Sequence, residues 1–243
     1  MQKSWTLVTG GASNRNGGGL GAAICIRLAQ EGHAIVCHYN QNESEAKQVV
    51  AQCRSFGVPA EMIQGNFTTA ASLSEFLHRY QKQFSNTAAL INTVGTYVPV
   101  SASLITPQAV ENLFQTNVQA PLILMQALIE SLKKSQGAII NIGVAGLSSE
   151  RGYVQAPFYM AMKLALLSLT QSFAKELAPF LIRVNMVSPG HLENSIDLPD
   201  VASLPMRRAG KGEEVASTVA FLLAKENRYI TGQNIDVAGG FGK

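Results

Sequence analysis

The sequence has few of the features that define disulfide-rich, metal-binding or membrane-spanning proteins. Its three cysteines, Cys25, Cys37 and Cys53, show no Cys-x-x-Cys spacing, and its four histidines are far apart. We therefore expect buried free thiols and no bound metal. The longest apolar runs are too short to cross a membrane, and the first residues lack the basic and apolar regions of a signal peptide. These absences favour a cytoplasmic protein.

Charged residues are also scarce, at 14% of the chain, with a net charge of +3. The lysines and arginines are scattered, whereas a nucleic-acid-binding surface would need them clustered. In contrast, 47% of the 243 residues are hydrophobic, which is enough to bury one large core. We expect a single domain over residues 1–243, with neither a nucleic acid nor a membrane as partner.

Strand-like segments alternate with segments that are long enough to be helices, which is the order of repeated βαβ units. The strand-like segments cover approximately residues 4–9, 33–39, 59–64, 87–93, 137–143, 181–187 and 233–237. Several of them are apolar without strict alternation, as is typical of strands buried between two helical layers. A helix over 69–84 has one apolar stripe, which predicts core packing. The pattern predicts an α/β fold with a Rossmann-type, doubly wound parallel sheet of about seven strands and helices on both faces.

The first of these segments is followed by a loop rich in glycine. Trp5–Thr9 leads into Gly10–Gly21 and then into the helical pattern of residues 22–30. Glycines allow the backbone to approach a pyrophosphate, and the amides and dipole at the start of a helix bind its charge. The order of strand, loop and helix therefore favours a dinucleotide site, with an ordinary flexible turn as the alternative. In such sheets, ligands bind beyond the carboxyl ends of the strands.

A tyrosine and a lysine stand four residues apart in an apolar helical stretch, as Tyr159-Met-Ala-Met-Lys163. Residues at this spacing share one face of a helix. A free phenol has a pKa near 10, and a neighbouring ammonium lowers that pKa by favouring the phenolate. The pair predicts a proton donor. Because so short a pattern also arises by chance, the other motifs of the chain must support this interpretation.

Together these motifs resemble the short-chain dehydrogenase/reductase family, in the single-domain form that includes 3-oxoacyl-carrier-protein reductases. The resemblance covers essentially the whole chain, and its motifs occur in the family's order. They are Thr9-Gly10 with Gly19-Leu20-Gly21, Asn92-Thr93-Val94-Gly95, Asn117, Tyr159-x-x-x-Lys163, Ser188-Pro189-Gly190, Ile230-Thr231-Gly232-Gln233 and residues 236–240.

The resemblance implies hydride transfer between a nicotinamide cofactor and a carbonyl or alcohol. Tyr159 would give a proton to the carbonyl oxygen, and Lys163 would lower the tyrosine pKa and bind the nicotinamide ribose. Asn117 would hold a water that links the lysine to solvent. The implied substrates are carrier-protein or CoA 3-oxoacyl thioesters first, then pterins or other small ketones. A homotetramer is also implied.

Cofactor contacts are carried over position by position. They are Gly10, Ser13, Arg15, Gly19, Leu20, Gly21, Tyr39, Asn40, Asn66, Phe67, Asn92, Gly95, Tyr159, Lys163, Pro189, Gly190 and Asn194. Arg15 stands in an enlarged glycine loop and would meet a 2′-phosphate, although a solvated loop arginine is the alternative. The second strand ends in His38-Tyr39-Asn40, without the acid that usually binds the ribose of NAD. Both features favour NADP(H).

The chain departs from the family where a serine normally positions the substrate oxygen. Val144 stands there and cannot donate a hydrogen bond, unless Ser148 or Ser149 reaches back. Losing one such donor commonly lowers the rate by about 10²–10³-fold. The candidate substrate contacts are Val144, Ser148, Ser149, Tyr153 and His191. The substitution keeps a second hypothesis open, that of a catalytically impaired protein that binds NADP(H) as a sensor or structural subunit.

Enoyl reductases of the same superfamily also have altered glycine loops. They usually place six residues between the catalytic tyrosine and lysine, whereas Tyr159 and Lys163 have three between them. Tyr153 lies too far back to restore the longer spacing. The sequence therefore favours carbonyl reduction. The long segment 191–210 is rich in apolar residues and is predicted to form a lid over the substrate.

Overall fold

A computed structural model describes residues 4–12, 19–147 and 152–242. Its strands form one parallel sheet in the order β3-β2-β1-β4-β5-β6-β7. The strands are β1 (Trp5–Val8), β2 (Ala34–Tyr39), β3 (Ala60–Gln64), β4 (Thr87–Asn92), β5 (Ala138–Ile142), β6 (Arg183–Pro189) and β7 (Asn234–Val237). The α-helices are α1 (Gly19–Gln30), α2 (Glu43–Ser55), α3 (Ala70–Gln83), α4 (Pro107–Phe114), α5 (Ala120–Ser135), α6 (Pro157–Leu177) and α7 (Gly212–Leu223). The predicted doubly wound α/β fold is confirmed.

Both faces of the sheet are apolar. Successive strand residues point to opposite sides, so each strand contributes side chains to both faces. In β2, Ile35 and Cys37 pack against the layer of α1, α2 and α7, while Val36 packs against the layer of α3, α5 and α6. The predicted apolar stripe of α3 lies in this second layer, with Phe76 and Tyr80 fully buried. This two-sided burial explains why the strand segments lack polar alternation.

All seven strands lie where the sequence predicts them, and the main difference is at β6. It begins at Arg183 and extends to Pro189, two residues later at each end than expected. Leu181 has a φ of 59°, in the left-handed region, so the chain is still turning at the predicted start of the strand. The extension continues the pairing with β7 as far as Val237.

The order of the strands places a crevice between β1 and β4. The chain runs outward from β1 through β2 to β3 and then returns to place β4 on the other side of β1. The loops after β1 and β4 therefore diverge, and they leave an opening at the carboxyl edge of the sheet.

Other sequence expectations concern cysteine, metals and the membrane. Cys25, Cys37 and Cys53 are free and buried, as predicted. Within residues 4–12, 19–147 and 152–242, no group of three or more His, Cys, Asp or Glu side chains is arranged to hold a metal ion. No helix in the same ranges has both the length and the apolar character needed to cross a bilayer.

Candidate active site

A cavity of about 460 Å³ opens at the carboxyl ends of β1, β4, β5 and β6. Residues that are far apart in the chain meet on its wall because the parallel strands end at one edge. The predicted site residues that line it are Gly10, Gly19, Leu20, Gly21, Gly95, Val144, Tyr159, Pro189, Gly190, His191 and Asn194.

The two ends of the glycine loop, at Gly10 and Gly21, are held by contacts that leave no room for side chains. A Cβ atom on Gly21 would lie 2.1 Å from the carbonyl oxygen of Gly10. Gly10 has a φ of +64°, and a Cβ there would lie 2.8 Å from Oγ1 of Thr93. The start of α1 thus packs directly on the backbone after β1, which is the approach that a pyrophosphate site at a helix N-terminus requires.

His38 supports this loop from inside the protein, a role that the sequence analysis missed. The amide of Gly10 donates to Nδ1 of His38 at 2.9 Å, so Nε2 carries the proton and donates to the carbonyl of Gly65 at 3.0 Å. Burial lowers the pKa of His38 to about 4, which keeps the ring neutral. The ring stacks on Phe67 with a centroid distance of 4.2 Å. His38 is therefore a positioning residue for the loop.

Tyr159 and Lys163 lie in the first turns of α6. Nζ of Lys163 is 5.5 Å from the centroid of the Tyr159 ring and donates to the carbonyl of Ile142 at 2.8 Å. The lysine is buried, and burial lowers its pKa to about 8. At neutral pH, the ammonium beside Tyr159 is thus held mainly by one backbone carbonyl.

Asn117 and Gly95 complete the surroundings of the lysine. Asn117 lies in a π-helical turn, Gln115–Gln119, between α4 and α5, and its amide donates to Thr96 and Leu113 carbonyls at 2.9 and 3.1 Å. Its Oδ1 is buried and accepts no hydrogen bond from the described residues. A Cβ on Gly95 would lie 2.5 Å from that oxygen and 3.3 Å from Nζ of Lys163. Glycine at 95 therefore keeps a buried acceptor close to the lysine.

Asn92, at the end of β4, has a structural contact of its own. Its Nδ2 donates to Oδ1 of Asn141 at 2.8 Å, and Asn141 in turn donates to Thr170 of α6 at 2.9 Å. This buried chain ties β4 and β5 to α6. Oδ1 of Asn92 is buried and accepts no hydrogen bond within the described structure.

Four predicted cofactor contacts lie at the ends of β2 and β3, away from the cavity wall. Asn40 is exposed, Tyr39 packs partly on the core, and Asn66 accepts a hydrogen bond from the amide of Thr68 at 2.9 Å. Phe67 is only 4% exposed, so its side chain faces the core. The predictions for Ser13, Arg15, Ser148 and Ser149 lie outside the described residues.

Val144 and Tyr153 differ in their relation to the cavity. Val144 lines the wall and packs against the apolar cluster that contains Leu147 and Met160. The hydroxyl of Tyr153 donates to the carbonyl of Gly146 at 2.7 Å, and this side chain does not belong to the cavity lining. Of the two, only Val144 is placed to meet a ligand in the cavity.

Two wall residues that the sequence analysis missed are Tyr97 and Asp197. The Tyr97 hydroxyl donates to the carboxylate of Asp197, and its ring meets the Tyr159 ring edge to face at 4.9 Å. Burial, together with this hydrogen bond, raises the pKa of Tyr97 well above its usual value. Tyr97 stands two residues after the Asn92–Gly95 motif, and this position just beyond a strand end could have indicated a site residue. Asp197 lies in the segment that was predicted to form an apolar lid.

His191 lies beside this pair on the cavity wall. Its ring packs edge to face on Phe241 at 4.6 Å, and burial lowers its pKa against the opposing effect of Asp197. The imidazole is thus neutral at pH 7 and adds no positive charge to the wall.

Replacing Lys163 with methionine should stabilise the protein at pH 7. The folded-state pKa of about 8 lies below the usual 10.5, so the buried ammonium disfavours folding below pH 8, and this cost disappears as the pH rises to about 10.5. We expect Lys163→Met to raise the free energy of unfolding by about 1–2 kcal/mol at pH 7 and by less at pH 10. Urea denaturation at both pH values measures this difference.

The matched control is Lys175→Met, on the exposed side of the same helix. It should change the unfolding free energy by less than about 0.5 kcal/mol at either pH. A loss of stability in Lys163→Met beyond that of the control would mean that the hydrogen bond to Ile142 outweighs the cost of burial.

The fold and this wall define a class of protein. A doubly wound sheet has closely packed glycines after β1 and, on the same crevice wall, a tyrosine with a lysine ammonium beneath its ring; this is the arrangement of a dinucleotide-dependent oxidoreductase. The close glycine contacts and the buried acceptors on Asn92 and Asn117 fit a cofactor with phosphate and hydroxyl groups.

Comparison with known proteins specifies the family. Residues 11–242 match the family model described as enoyl-(acyl carrier protein) reductase. The chain is 31% identical to the 3-oxoacyl-(acyl-carrier-protein) reductase FabG of Staphylococcus epidermidis, over 99% of both chains. The protein belongs to the short-chain dehydrogenase/reductase family, and it is an oxidoreductase that uses a nicotinamide cofactor.

Solved structures agree with this assignment. A blue fluorescent protein from a metagenomic library, in complex with NADPH, is 30% identical with a TM-score of 0.89, and the match covers 100% of this chain and 99% of that one. The acetoin dehydrogenase YohF of Salmonella typhimurium is 28% identical with a TM-score of 0.87, over 98% and 97% of the two chains.

Proposed function

We propose that the protein is an NADPH-dependent carbonyl reductase in which Tyr159 is the proton donor. The observation that carries this proposal is the position of Tyr159. It lies on the same cavity wall as Gly10 and Gly21 of the glycine loop, with the Lys163 ammonium beneath its ring. A proton donor and a dinucleotide site thus open into one space, as carbonyl reduction requires.

The roles of the protein residues follow from their contacts. When bound, the nicotinamide supplies a hydride. Tyr159 donates its phenolic proton to the carbonyl oxygen, and the Lys163 ammonium favours the phenolate that remains. The buried Oδ1 of Asn117 accepts a hydrogen bond from a water that passes protons between solvent and the lysine. Gly95 provides the space for that contact.

Several observations support NADP(H) over NAD(H). The end of β2 has no acid to bind the ribose hydroxyls. The residues there are His38, which is buried and neutral, followed by Tyr39 and Asn40. The metagenomic blue fluorescent protein, a 30% identical neighbour, was solved with NADPH. Arg15 remains our proposed contact for the 2′-phosphate.

For the substrate, we propose 3-oxoacyl thioesters first, with pterins and other small ketones as further possibilities. The name of the Staphylococcus epidermidis relative supports the thioester class, and the name of the Salmonella neighbour supports small ketones. We favour carbonyl over enoyl reduction because Tyr159 and Lys163 have three residues between them. Tyr153, the next tyrosine towards the N-terminus, donates its hydroxyl to Gly146 outside the cavity.

The test of this function is NADPH oxidation by the purified protein with acetoacetyl-CoA, diketones, quinones and dihydropterin, with NADPH binding measured in parallel. We expect NADPH to bind more tightly than NADH and at least one carbonyl to be reduced. Tight binding of NADPH without turnover on any of these compounds would contradict the reductase and favour a cofactor-binding sensor or structural subunit.

Val144 supports this second candidate, because an apolar side chain occupies the wall where the family has its serine.

Val144→Ser should raise kcat/KM by about 10-fold or more, since it adds a hydrogen-bond donor for the developing oxyanion. Val144→Ala is the matched control, because it shortens the side chain without adding a hydroxyl. Equal kcat/KM values in the two variants would show that the added hydroxyl does not reach the substrate.

A further inference from the structure

In the part of the chain that the structure describes, the wall beside Tyr159 contains one carboxylate and no cation. Among the described lining residues, Asp197 is the only acid, and no lysine or arginine contributes a side chain to the wall. Lys163 lies behind Tyr159, with Nζ bonded to Ile142. Arg208, further along the same segment, is paired with Glu214 at 2.7 Å. The net charge of the described side chains that line this wall is therefore negative.

The Tyr97–Asp197 pair also has a fixed hydrogen-bond polarity. A carboxylate has no proton to give, so the Tyr97 hydroxyl is the donor and spends its one hydrogen on Asp197. What remains on both groups is acceptor capacity, on the phenol oxygen and on the carboxylate oxygens. A ligand that contacts this pair must therefore bring a donor.

The pair lies close to the proposed reacting centre. The Tyr97 ring touches the Tyr159 ring at a centroid distance of 4.9 Å, and Tyr97 and Asp197 both line the cavity. A substrate whose carbonyl oxygen accepts from Tyr159 would place substituents one or two bonds away near Tyr97 and Asp197. The neutral His191 ring beside them offers no charge to offset the carboxylate.

We infer that Asp197, with Tyr97, is a specificity-determining residue that selects carbonyl substrates with a hydroxyl or amine donor near the carbonyl and rejects those with a carboxylate there. A neighbouring hydroxyl gains a hydrogen bond to the pair, whereas a carboxylate meets a like charge and finds no donor. This inference rests on the proposed function for the position of the carbonyl at Tyr159. Within that function it favours small ketones and pterins that carry a donor over 3-oxoacyl thioesters, which have only an acceptor beside the ketone.

The test uses three small ketones of similar size: hydroxyacetone with a donor, butanone without one, and pyruvate with a carboxylate. Their dissociation constants are measured by ligand-observed NMR on the protein saturated with NADP+, where no reduction occurs. The values of kcat/KM are measured separately with NADPH. We expect hydroxyacetone to bind about 10-fold or more tightly than pyruvate, with butanone between them.

Asp197→Asn should reduce the preference for hydroxyacetone over pyruvate by about 10-fold, because the amide removes the charge and provides a donor. The control is Asp200→Asn, in the same segment. Asp200 is exposed and accepts from the amide of Ala202, a cap that asparagine retains. This control removes the same charge outside the cavity and should leave the preference unchanged.

Tyr97→Phe is a second variant that keeps the ring contact with Tyr159 and removes the phenol oxygen. It should weaken hydroxyacetone binding and leave that of butanone within about 2-fold, since only the donor-bearing ligand loses a partner. The comparison of hydroxyacetone with butanone in Tyr97→Phe therefore tests the inference even if Asp197→Asn disturbs the folding of its own segment.

The outcomes separate this inference from the proposed function. An unchanged preference in Asp197→Asn, an equal change in Asp200→Asn, or binding of none of the ketones would overturn the inference. The expected binding preference, with no NADPH oxidation on these ketones or on the acetoacetyl-CoA, diketone, quinone and dihydropterin panel, would uphold the inference and contradict the reductase. NADPH oxidation with equal kcat/KM for hydroxyacetone and pyruvate would uphold the reductase and overturn the inference.

Discussion

Tyr159→Phe should abolish carbonyl reduction, with kcat/KM lowered by about 10³-fold or more. A positioned general acid commonly contributes about 10²–10⁴-fold, and no other hydroxyl in the described cavity wall has a lysine ammonium beneath its ring. The phenylalanine keeps the edge-to-face contact with Tyr97, so NADPH affinity should change by less than about 3-fold. Steady-state kinetics and NADPH fluorescence titration measure the two effects.

Tyr153→Phe is the matched control, because it removes one tyrosine hydroxyl six residues away. That hydroxyl bonds the carbonyl of Gly146 and lies outside the cavity lining. Its loss should cost about 1 kcal/mol of stability and leave kcat/KM within about 3-fold. Retained turnover in Tyr159→Phe, or an equal loss in both variants, would remove Tyr159 from the proposed role.

The second large effect is expected from Gly21→Ala, which should weaken NADPH binding by about 100-fold and lower the free energy of unfolding by about 2–4 kcal/mol. The added Cβ would lie 2.1 Å from the carbonyl oxygen of Gly10 and 3.0 Å from Cα of Gly11. These are backbone atoms, so the loop and α1 must separate. The separation would move the helix N-terminus away from the pyrophosphate. Isothermal titration with NADPH and urea denaturation measure the two losses.

On helix propensity alone, the same substitution would be favourable by about 1 kcal/mol, because Gly21 lies within α1. Gly212→Ala, at the first residue of α7, tests this term, since its added Cβ would meet only the Cβ of Ala23 at 3.2 Å. The control should change stability by less than about 1 kcal/mol and leave NADPH affinity unchanged. Wild-type affinity in Gly21→Ala would mean that the close glycine contact is not needed for the cofactor.

Local patterns in the sequence were enough to predict the sheet. Strand segments such as Ala138–Ile142 are largely apolar, with Asn141 as the one polar residue, and this lack of polar alternation is visible in the chain. The glycine loop and the Tyr159–Lys163 spacing were readable for the same reason, since each motif is short and its geometry follows from local backbone rules.

The lysine pKa depends on features that the spacing does not show. The sequence predicts an ammonium beside a phenol, but the lowered pKa of Lys163 results from its burial, which depends on how α6 packs against β5. The role of His38 is similar. Its residue type was visible, whereas its contacts with Gly10 and Gly65 require three neighbouring strand ends to come together.

By itself, the sequence determined the fold, the family resemblance and the residues at the carboxyl edge of the sheet, because local periodicity and short motifs encode them. Only the tertiary structure decided that Tyr97 meets Asp197, which is 100 residues away in the chain. The physical reason is that such a contact depends on how two long loops cross over the sheet. That crossing is set by the packing of the whole core, and no local pattern records it.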